Sequence, residues 1–555
     1  MNRREFMKII AATGAAAIFD PVDVLVRRAI AAPRYFGLHN FIEAHPEAVF
    51  IKRTGVPVKT DSEAKKQEGV DLAGEIFTLR DTPGIPLSHM VAIKPNLTCT
   101  GGAGGTADGM GILTDPYFVE GVIEGMTEVG LSGDSMYMRE GNWLGDSYCP
   151  GEAAISPYMG VAERTGAHIL DFPTGRDITQ LRLNTLEEGS EVIWKDCPDG
   201  VIFRRVGYVA PFNHPDSWLL NISKFKCHAM GMTLCSKNLQ GMCVHPHIHF
   251  CEGVSGAKSH PAPASGDFQP DLEWHIDELY ARHLDDGIPR WDKPGGNGGY
   301  WMESWAQRTC DSLSVTDIGL NIIEGIYGRN GNAFMLGPGP GGKAEDFMTN
   351  VLVFGKDSFR VDIIGHWLGG HEPGNFGLFH IARERGLSNT VNPAAITVYL
   401  WENGAPRLVP LEDFQRTPLV SPYLRRDYGG QGEEEYHLID EPFNYGPVTA
   451  VESMSEGQVN RHTQEKRPEA YVLGQNFPNP FNGSTVIEYY LLKGSPVVLE
   501  VYNSSGQRID VLVNGWQGKG THMASWNAGE WAAGIYFYRF KTDSFEKIGK
   551  MIVAK

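Results

Sequence analysis

The stretch "HMVAIKPNLTCTGGAGGTADGMGILTDPYFVEGVIEGMTEVG" runs from His89 to Gly130, and "SMYMREG" follows it from Ser135. "MVAIK" is an apolar strand, and the Gly-rich "TGGAGG" after it is a loop. Thr114 and Asp115 can cap a helix whose first turn holds Pro116, where proline's missing N–H costs nothing. Phe118, Val119, Val122, Ile123 and Met126 recur at the spacing of one buried helix face. "SMYM" reads as the next strand. Strand, loop, helix, strand is a βαβ unit, so the spacing predicts a parallel sheet with flanking helices.

The same alternation extends outward. "AVFIKRTG" upstream is a strand, and "GVAERTGAHILDF" ends a helix and begins a strand. "SWLLNISKFK" and "DSLSVTDIGLNIIEGIYG" read as strands, and "NVLVFGKDSFRVDIIGHWLGG" as strand, turn and helix. "PGGNGGYWMESW" reads as an inserted loop. Periodicity fades after "FNYGPV". The expected class is α/β with a mostly parallel sheet, followed by a different small domain.

That second domain is read from "YVLGQNFPNPFNGSTVIEYYL", "VVLEVYNSSGQRIDVLV" and "GIYFYRFKTDSFEKIGKMIVAK". Runs of β-branched and aromatic residues alternate with Gly, Asn and Ser turns, the pattern of an antiparallel, Ig-like β-sandwich. "NSSG" is a hairpin turn between two of its strands. "NFPNPFN", "VYNSSGQ", "GIYFYRF" and the terminal "KMIVAK" resemble the type IX secretion C-terminal sorting domain. The resemblance implies passage through the outer membrane of a Bacteroidota-like bacterium, then surface attachment or release. At the other end, Arg3 and Arg4 precede Phe6 and Lys8, a short apolar run and a small-residue site at Ala29-Ile30-Ala31. This is similar to a twin-arginine signal peptide. The expected organisation is a signal peptide at 1–32, the α/β domain at 33–447, a polar linker at 448–470 and the sandwich at 471–555.

The chain of 555 residues carries a formal charge of −18. Nucleic-acid and anionic-membrane binding both need basic surface, so both are disfavoured. No internal apolar run is long enough to span a bilayer, so no stable transmembrane segment is expected after processing. The expected route is the periplasm in transit, then the outer-membrane surface or the exterior. The expected partners are the twin-arginine and type IX export machineries and a small-molecule ligand.

Polar residues gather where the apolar strands stop, and in parallel α/β sheets ligands bind beyond those ends. "IKPNL", "TDPYFVEGVIEGMTEVG", "LLNISKFKCHAMGMTLCSKNLQG", "VTDIGLNIIEG" and "VFGKDSFRVDIIGHWLGG" resemble, in this order, the domain-of-unknown-function family 362. The resemblance implies an α/β fold and a polar site set: Lys94, Asn96, Lys226, His228, Lys237, Asn238, Asp317 and Asp362. The long segment from Cys243 to Met302 departs from the family pattern. Lysines beside a Gly-rich loop suit a carboxylate or phosphate, and a lysine against apolar strand can act as base or nucleophile. Structural ion pairing of the lysines with Asp317 or Asp362 is the competing reading.

"FKCHAMGMTLCSKNLQGMCVHPHIHFCEG" spaces Cys227, Cys235, Cys243 and Cys251 by eight residues each. That is not the close C-x-x-C pairing of zinc sites. His245, His247 and His249 alternate, and on an extended strand all three face one side, a set a divalent metal accepts. Cys243 or Cys251 would complete it, and a divalent metal is the one cofactor considered. An extracytoplasmic location favours disulfides, with Cys99 and Cys149 as structural candidates. The leading expectation is an enzyme on a small anionic organic substrate, with a metal as optional Lewis acid. The alternatives are a redox or metal-binding protein centred on the Cys/His segment, and a non-catalytic surface ligand-binding protein.

Overall fold

A computed structural model describes residues 35–81, 84–97, 110–140, 151–170, 192–228, 231–244, 267–289, 298–331, 343–420 and 442–445. In the C-terminal part it describes 472–473, 476, 481, 483–504, 506–518, 520–529 and 531–554. The chain divides into two compact units, Met1–Gln458 and Val459–Lys555.

The first unit is built on a ten-stranded sheet. In chain order its strands are β1 (Val49–Arg53), β2 (Met90–Pro95), β3 (Met136–Met138), β4 (His168–Ile169) and β5 (Ser217–His228). They continue with β6 (Gly231–Thr233), β7 (Leu320–Arg329), β8 (Asp346–Gly355), β9 (Val398–Glu402) and β10 (Ala405–Leu408). The order across the sheet is β10-β9-β1-β8-β7-β5-β2-β3-β4, with β6 folded back on β5. β7, β5, β2, β3 and β4 run parallel, as does the β9/β1 pair. β8 is antiparallel to both its neighbours, so the sheet is mixed, with one contiguous parallel block.

The expected βαβ unit is present. Helix α2 (Pro116–Val129) starts at the Asp115 cap, whose side chain accepts from the amides of Tyr117 and Phe118. Phe118, Val119, Val122, Ile123 and Met126 are fully buried. α2 packs on α1 (Ser62–Ile76) backbone to backbone: a Cβ on Gly121 would lie 1.9 Å from the Lys66 carbonyl oxygen. Strand alternation sends Val91, Ile93, Leu220 and Ile222 into the core under these helices. It sends Ala92, Leu219 and Phe225 into a second core on the opposite face. That face is covered by α6 (Gly298–Ser314), α7 (Ser358–Leu368) and α8 (Gly377–Glu384). Helices α3 (Gly151–Thr165), α4 (Cys235–Asn238) and α5 (Leu272–Asp285) complete the set used below.

Two sequence expectations are corrected. "GGYWMESW" is not a loop but the first half of α6, which continues through "DSLS", so β7 begins only at Leu320. Met302, Trp305, Ala306, Cys310 and Leu313 are buried at helical spacing, and the glycines before them hid that period.

The second unit holds β11 (Val472–Leu473), β12 (Ser484–Leu491), β13 (Ser495–Asn503), β14 (Arg508–Gln517), β15 (Gly520–Asn527), β16 (Gly534–Lys541) and β17 (Glu546–Val553). They form two antiparallel sheets, β11-β12-β15 and β14-β13-β16-β17. Ile487, Val497, Leu499, Trp526, Tyr538 and Phe540 share its core. Between β13 and β14 the Gly506 amide donates to the Asn503 carbonyl at 3.0 Å.

Candidate functional site

Where β2 and β5 end, the apolar pattern stops and a buried polar network begins. Lys94 and Asn221 are register partners on β2 and β5, and Asn221 faces Asn321 on β7. The Asn221 amide donates to Asn321 Oδ1 at 2.8 Å, so one polar row crosses three parallel strands. Asn238, the last residue of α4, lies on that row. Its Nδ2 donates to the Lys94 carbonyl at 3.0 Å and to Asn221 Oδ1 at 2.8 Å. Its Oδ1 accepts from Lys94 Nζ at 3.2 Å and Asn96 Nδ2 at 3.0 Å. Asn96 in turn accepts from Lys226 Nζ at 2.9 Å, and Lys226 also donates to the Ile112 carbonyl at 2.5 Å. Four of the predicted residues thus form one hydrogen-bonded chain, with the amide orientations set by the lysines they serve.

Lys94 has a carboxylate partner that sequence reasoning missed. Glu140, two residues past β3, accepts from Lys94 Nζ at 2.8 Å and from the Leu97 amide at 3.0 Å. The backbone passes directly over this pair at Gly241, where a Cβ would fall 1.7 Å from Glu140 Oε1. A charged residue immediately after an apolar strand in "SMYMREG" was the available signal.

Burial lowers the Lys94 ammonium's pKa, opposed by Glu140. Lys226 is pushed well below the lysine range, first by burial and then by the Lys237 charge. The half-buried His228 imidazole is likewise held well below the usual histidine range, by burial and then by Lys237 and Lys226. Arg329, the register partner of Lys226, adds a fourth basic group and pairs with Asp346 at 3.0 Å.

The two predicted aspartates are not with the others. Asp317 is exposed and precedes β7, at the opposite end of that strand from Arg329, where it lies 4.0 Å from Lys195. Asp362 is buried on α7 and accepts from the amides of Cys235 and Ser236 at 2.7 and 2.8 Å. Lys94 is held by Glu140, Asn238 and the Pro95 carbonyl, and Lys226 by Asn96 and the Ile112 carbonyl, rather than through an ion pair with Asp362.

Below the network lies a second polar cluster, also missed. Lys65 pairs with Asp115 at 2.6 Å and Lys224 with Glu324 at 2.7 Å, all four fully buried. The Tyr327 hydroxyl donates to Asp115 at 2.7 Å, and Lys224 Nζ sits 3.4 Å from the Tyr327 ring centre.

His245, His247, His249 and Cys251 lie outside the described residues. Cys243 is fully buried, with its sulfur 3.8 Å from Ser312 Oγ. Among the described residues no group of three or more His, Cys, Asp or Glu could hold a metal ion. Cys197, Cys227, Cys235, Cys243 and Cys310 carry thiols rather than disulfide bonds, which corrects the disulfide expectation for these five. They are core residues, and burial pushes the Cys197 and Cys310 thiols up to about 12. Such thiols are protonated and packed, unlike reactive or ligating cysteines. Cys99 and Cys149 lie outside the described residues.

Behind β5, His366 and His371 are buried as neutral imidazoles. Burial pushes them down to about 3 and about 4, each also repelled by a neighbouring cation or ring. Below the ordinary histidine value the unfolded chain takes up protons that the folded chain refuses, so their stabilisation is present above that value and lost as pH falls. Each is expected to contribute about 2 kcal/mol of acid destabilisation by pH 5. Asp362, pushed up to about 7 chiefly by burial, works in the opposite sense over this range. The readout is therefore the difference between wild type and His366→Phe in urea unfolding at pH 7.5 and 5. The variant should lose about 2 kcal/mol less on acidification. Equal losses would refute the buried-histidine account.

The geometry defines a class: an α/β domain with a basic, hydrogen-bonded site at its parallel strand ends, joined to an antiparallel sandwich. Residues 91–366 match the family model described as Domain of unknown function (DUF362), and residues 475–554 match the Secretion system C-terminal sorting domain. No curated protein matches the chain. The central domain is thus a DUF362 domain, and the sorting domain marks the protein for type IX export to the cell surface or extracellular space. Among the described residues no helix is long and apolar enough to cross a membrane.

Proposed function

We propose that the α/β domain is an exported enzyme that binds a small anionic organic substrate at the ends of β2, β5 and β7. The observation that carries this reading is the gathering of Lys226, Arg329, Lys237 and His228 at one strand edge, close enough that Lys226 feels the charges of Lys237 and Arg329. Such a cluster lowers the potential energy of a carboxylate or phosphate placed among its members. Lys226 and His228, both driven toward their neutral forms, are the groups suited to accept a proton from that substrate. A twin-arginine passage to the periplasm before type IX export belongs to the same proposal.

Calorimetric titration of the full chain with malonate and with inorganic phosphate tests the site. Binding is expected for wild type, weakened ~10-fold or more in Lys237→Ala, because a half-buried cation facing the anion is removed. No heat with either anion would sink the site. The enzyme reading further requires deuterium uptake from D2O into a bound carbon acid, lost in Lys226→Met. Binding without any uptake across a panel of carboxylates would favour the non-catalytic alternative.

A further inference from the structure

The four residues of α4 carry Lys237 and Asn238 in a single turn closed by the Asn238 amide on the Leu234 carbonyl at 2.9 Å, with no side-chain cap of its own. So short a helix does not persist alone. Its N-cap residue, Leu234, makes no side-chain capping bond. The missing acceptor arrives from another element: both carboxylate oxygens of Asp362, on α7, receive the first two amides of α4.

We propose that Asp362 is the positioning residue of the anion site: by clamping the amides of Cys235 and Ser236 it sets Asn238 and Lys237 against Lys94, Asn96 and Lys226. The proposal rests on the site described under Proposed function and assigns Asp362 no contact with the ligand.

Three further observations support it. The clamped helix ends on Asn238, whose amide group makes four hydrogen bonds, to Lys94, Asn96 and Asn221. A small rotation of α4 would therefore break the link between Lys94 and Asn96, and Asn96 is what receives Lys226. Second, α7 is shaped for the close approach. One turn on from Asp362, a Cβ on Gly365 would lie 2.8 Å from Leu234 Cδ1 and 2.6 Å from Ile323 Cδ1. Third, the clamp is costly as a purely stabilising device. Burial pushes the Asp362 carboxyl up to about 7, so keeping it ionised at neutral pH opposes folding. Residues that break local economy in this way concentrate where a site must be held in shape.

The test uses the full-length protein and two readouts. Amide hydrogen exchange over 234–240, corrected for intrinsic rates, reports the clamp without any ligand. Asp362→Asn keeps one acceptor oxygen and should speed exchange there ~10-fold or more, with the sheet core unchanged. In wild type the same segment should loosen as pH falls from 8 to 6, because a protonated carboxyl loses one acceptor. The titratable groups facing Asp362 leave that window to it. The Cys235 thiol is held well above its ordinary value by burial, and His366 is pushed down to about 3. Lys237 lies on the clamped helix itself.

The second readout is the affinity for malonate and phosphate. Asp362→Asn should weaken both ~10-fold and flatten the affinity's pH profile between 6 and 8. A merely structural aspartate would change the melting temperature and leave that profile as in wild type. Protection at 234–240 that is the same in Asp362→Asn, or indifferent to pH in wild type, overturns the clamp. Unchanged affinity and profile with exchange accelerated overturns the positioning role. Wild type that binds neither anion overturns the site itself, and the exchange data then still decide whether the clamp exists. Should Asp362→Asn fail to fold, the wild-type exchange profile against pH alone decides the clamp.

Discussion

Asp115→Ala is expected to destabilise the α/β domain by about 4–6 kcal/mol, the largest single effect of any substitution considered for this protein. Asp115 does three jobs with one carboxylate. Oδ1 caps α2 through the amides of Tyr117 and Phe118, at 3.0 and 3.3 Å. Oδ2 receives the Lys65 ammonium at 2.6 Å and the Tyr327 hydroxyl at 2.7 Å. Loss of a cap costs about 1 kcal/mol, and stranding a fully buried lysine costs about 3–5 kcal/mol. The Asp115 amide also donates to Glu324 at 3.1 Å, so movement there disturbs the Lys224–Glu324 pair as well. A typical domain has only about 5–15 kcal/mol in total, so Asp115→Ala should leave the domain at the edge of unfolding. Asp115→Asn keeps a capping oxygen but not the charge, and should recover only about 1 kcal/mol of the loss. Urea unfolding of the full-length variants measures both. An Asp115→Ala chain within 1 kcal/mol of wild type would mean that Lys65 is held by something other than this pair.

What could be read in the sequence follows from what has a period. The β2–α2–β3 unit was legible because "MVAIK", the Thr114-Asp115-Pro116 start and the Phe118 to Met126 spacing each point to one structure. The polar residues Lys94, Asn96, Lys226 and Asn238 stood out because they end apolar runs, and they do meet. Glu140 and Lys65 did not stand out. A lone charge after a strand or on a helix reads as surface, and only the fold reveals that Lys65, fully buried, faces Asp115 fifty residues away. Asp317 failed for a related reason. It precedes β7, whereas Glu324 lies within the strand, and the direction of the strand decides which residues meet Lys226 and Arg329. The antiparallel β8 was also illegible, since alternation does not carry strand direction. Asp362 stood in the sequence as one member of the polar set that the resemblance implies, while its contact with the first amides of α4 needed the three-dimensional path between α7 and Cys235.

Glu140→Ala is the second substitution with a large expected effect, and a double-mutant cycle with Lys94→Met separates its structural from its functional meaning. Glu140 is the carboxylate that Lys94 meets inside the network. Without it, the Lys94 ammonium either stays buried without that partner or gives up its proton, and both outcomes cost free energy. The single variant is expected to lose about 3–5 kcal/mol in urea unfolding. Lys94→Met alone strands Glu140 less severely, because Glu140 keeps the Leu97 amide and some solvent contact. The double variant Lys94→Met/Glu140→Ala removes both charges, so neither is left buried without its partner. Its loss should therefore be smaller than that of Glu140→Ala, with an interaction free energy of about 2–3 kcal/mol between the two positions. Were the pair there only for stability, the double variant would be an adequate substitute and would still bind malonate. If it holds Asn238 and Asn96 for the anion site, the double variant should fold and fail to bind. Stability and affinity then part company in one protein, because the hydrogen bond from Lys94 to Asn238 Oδ1 has no counterpart in methionine.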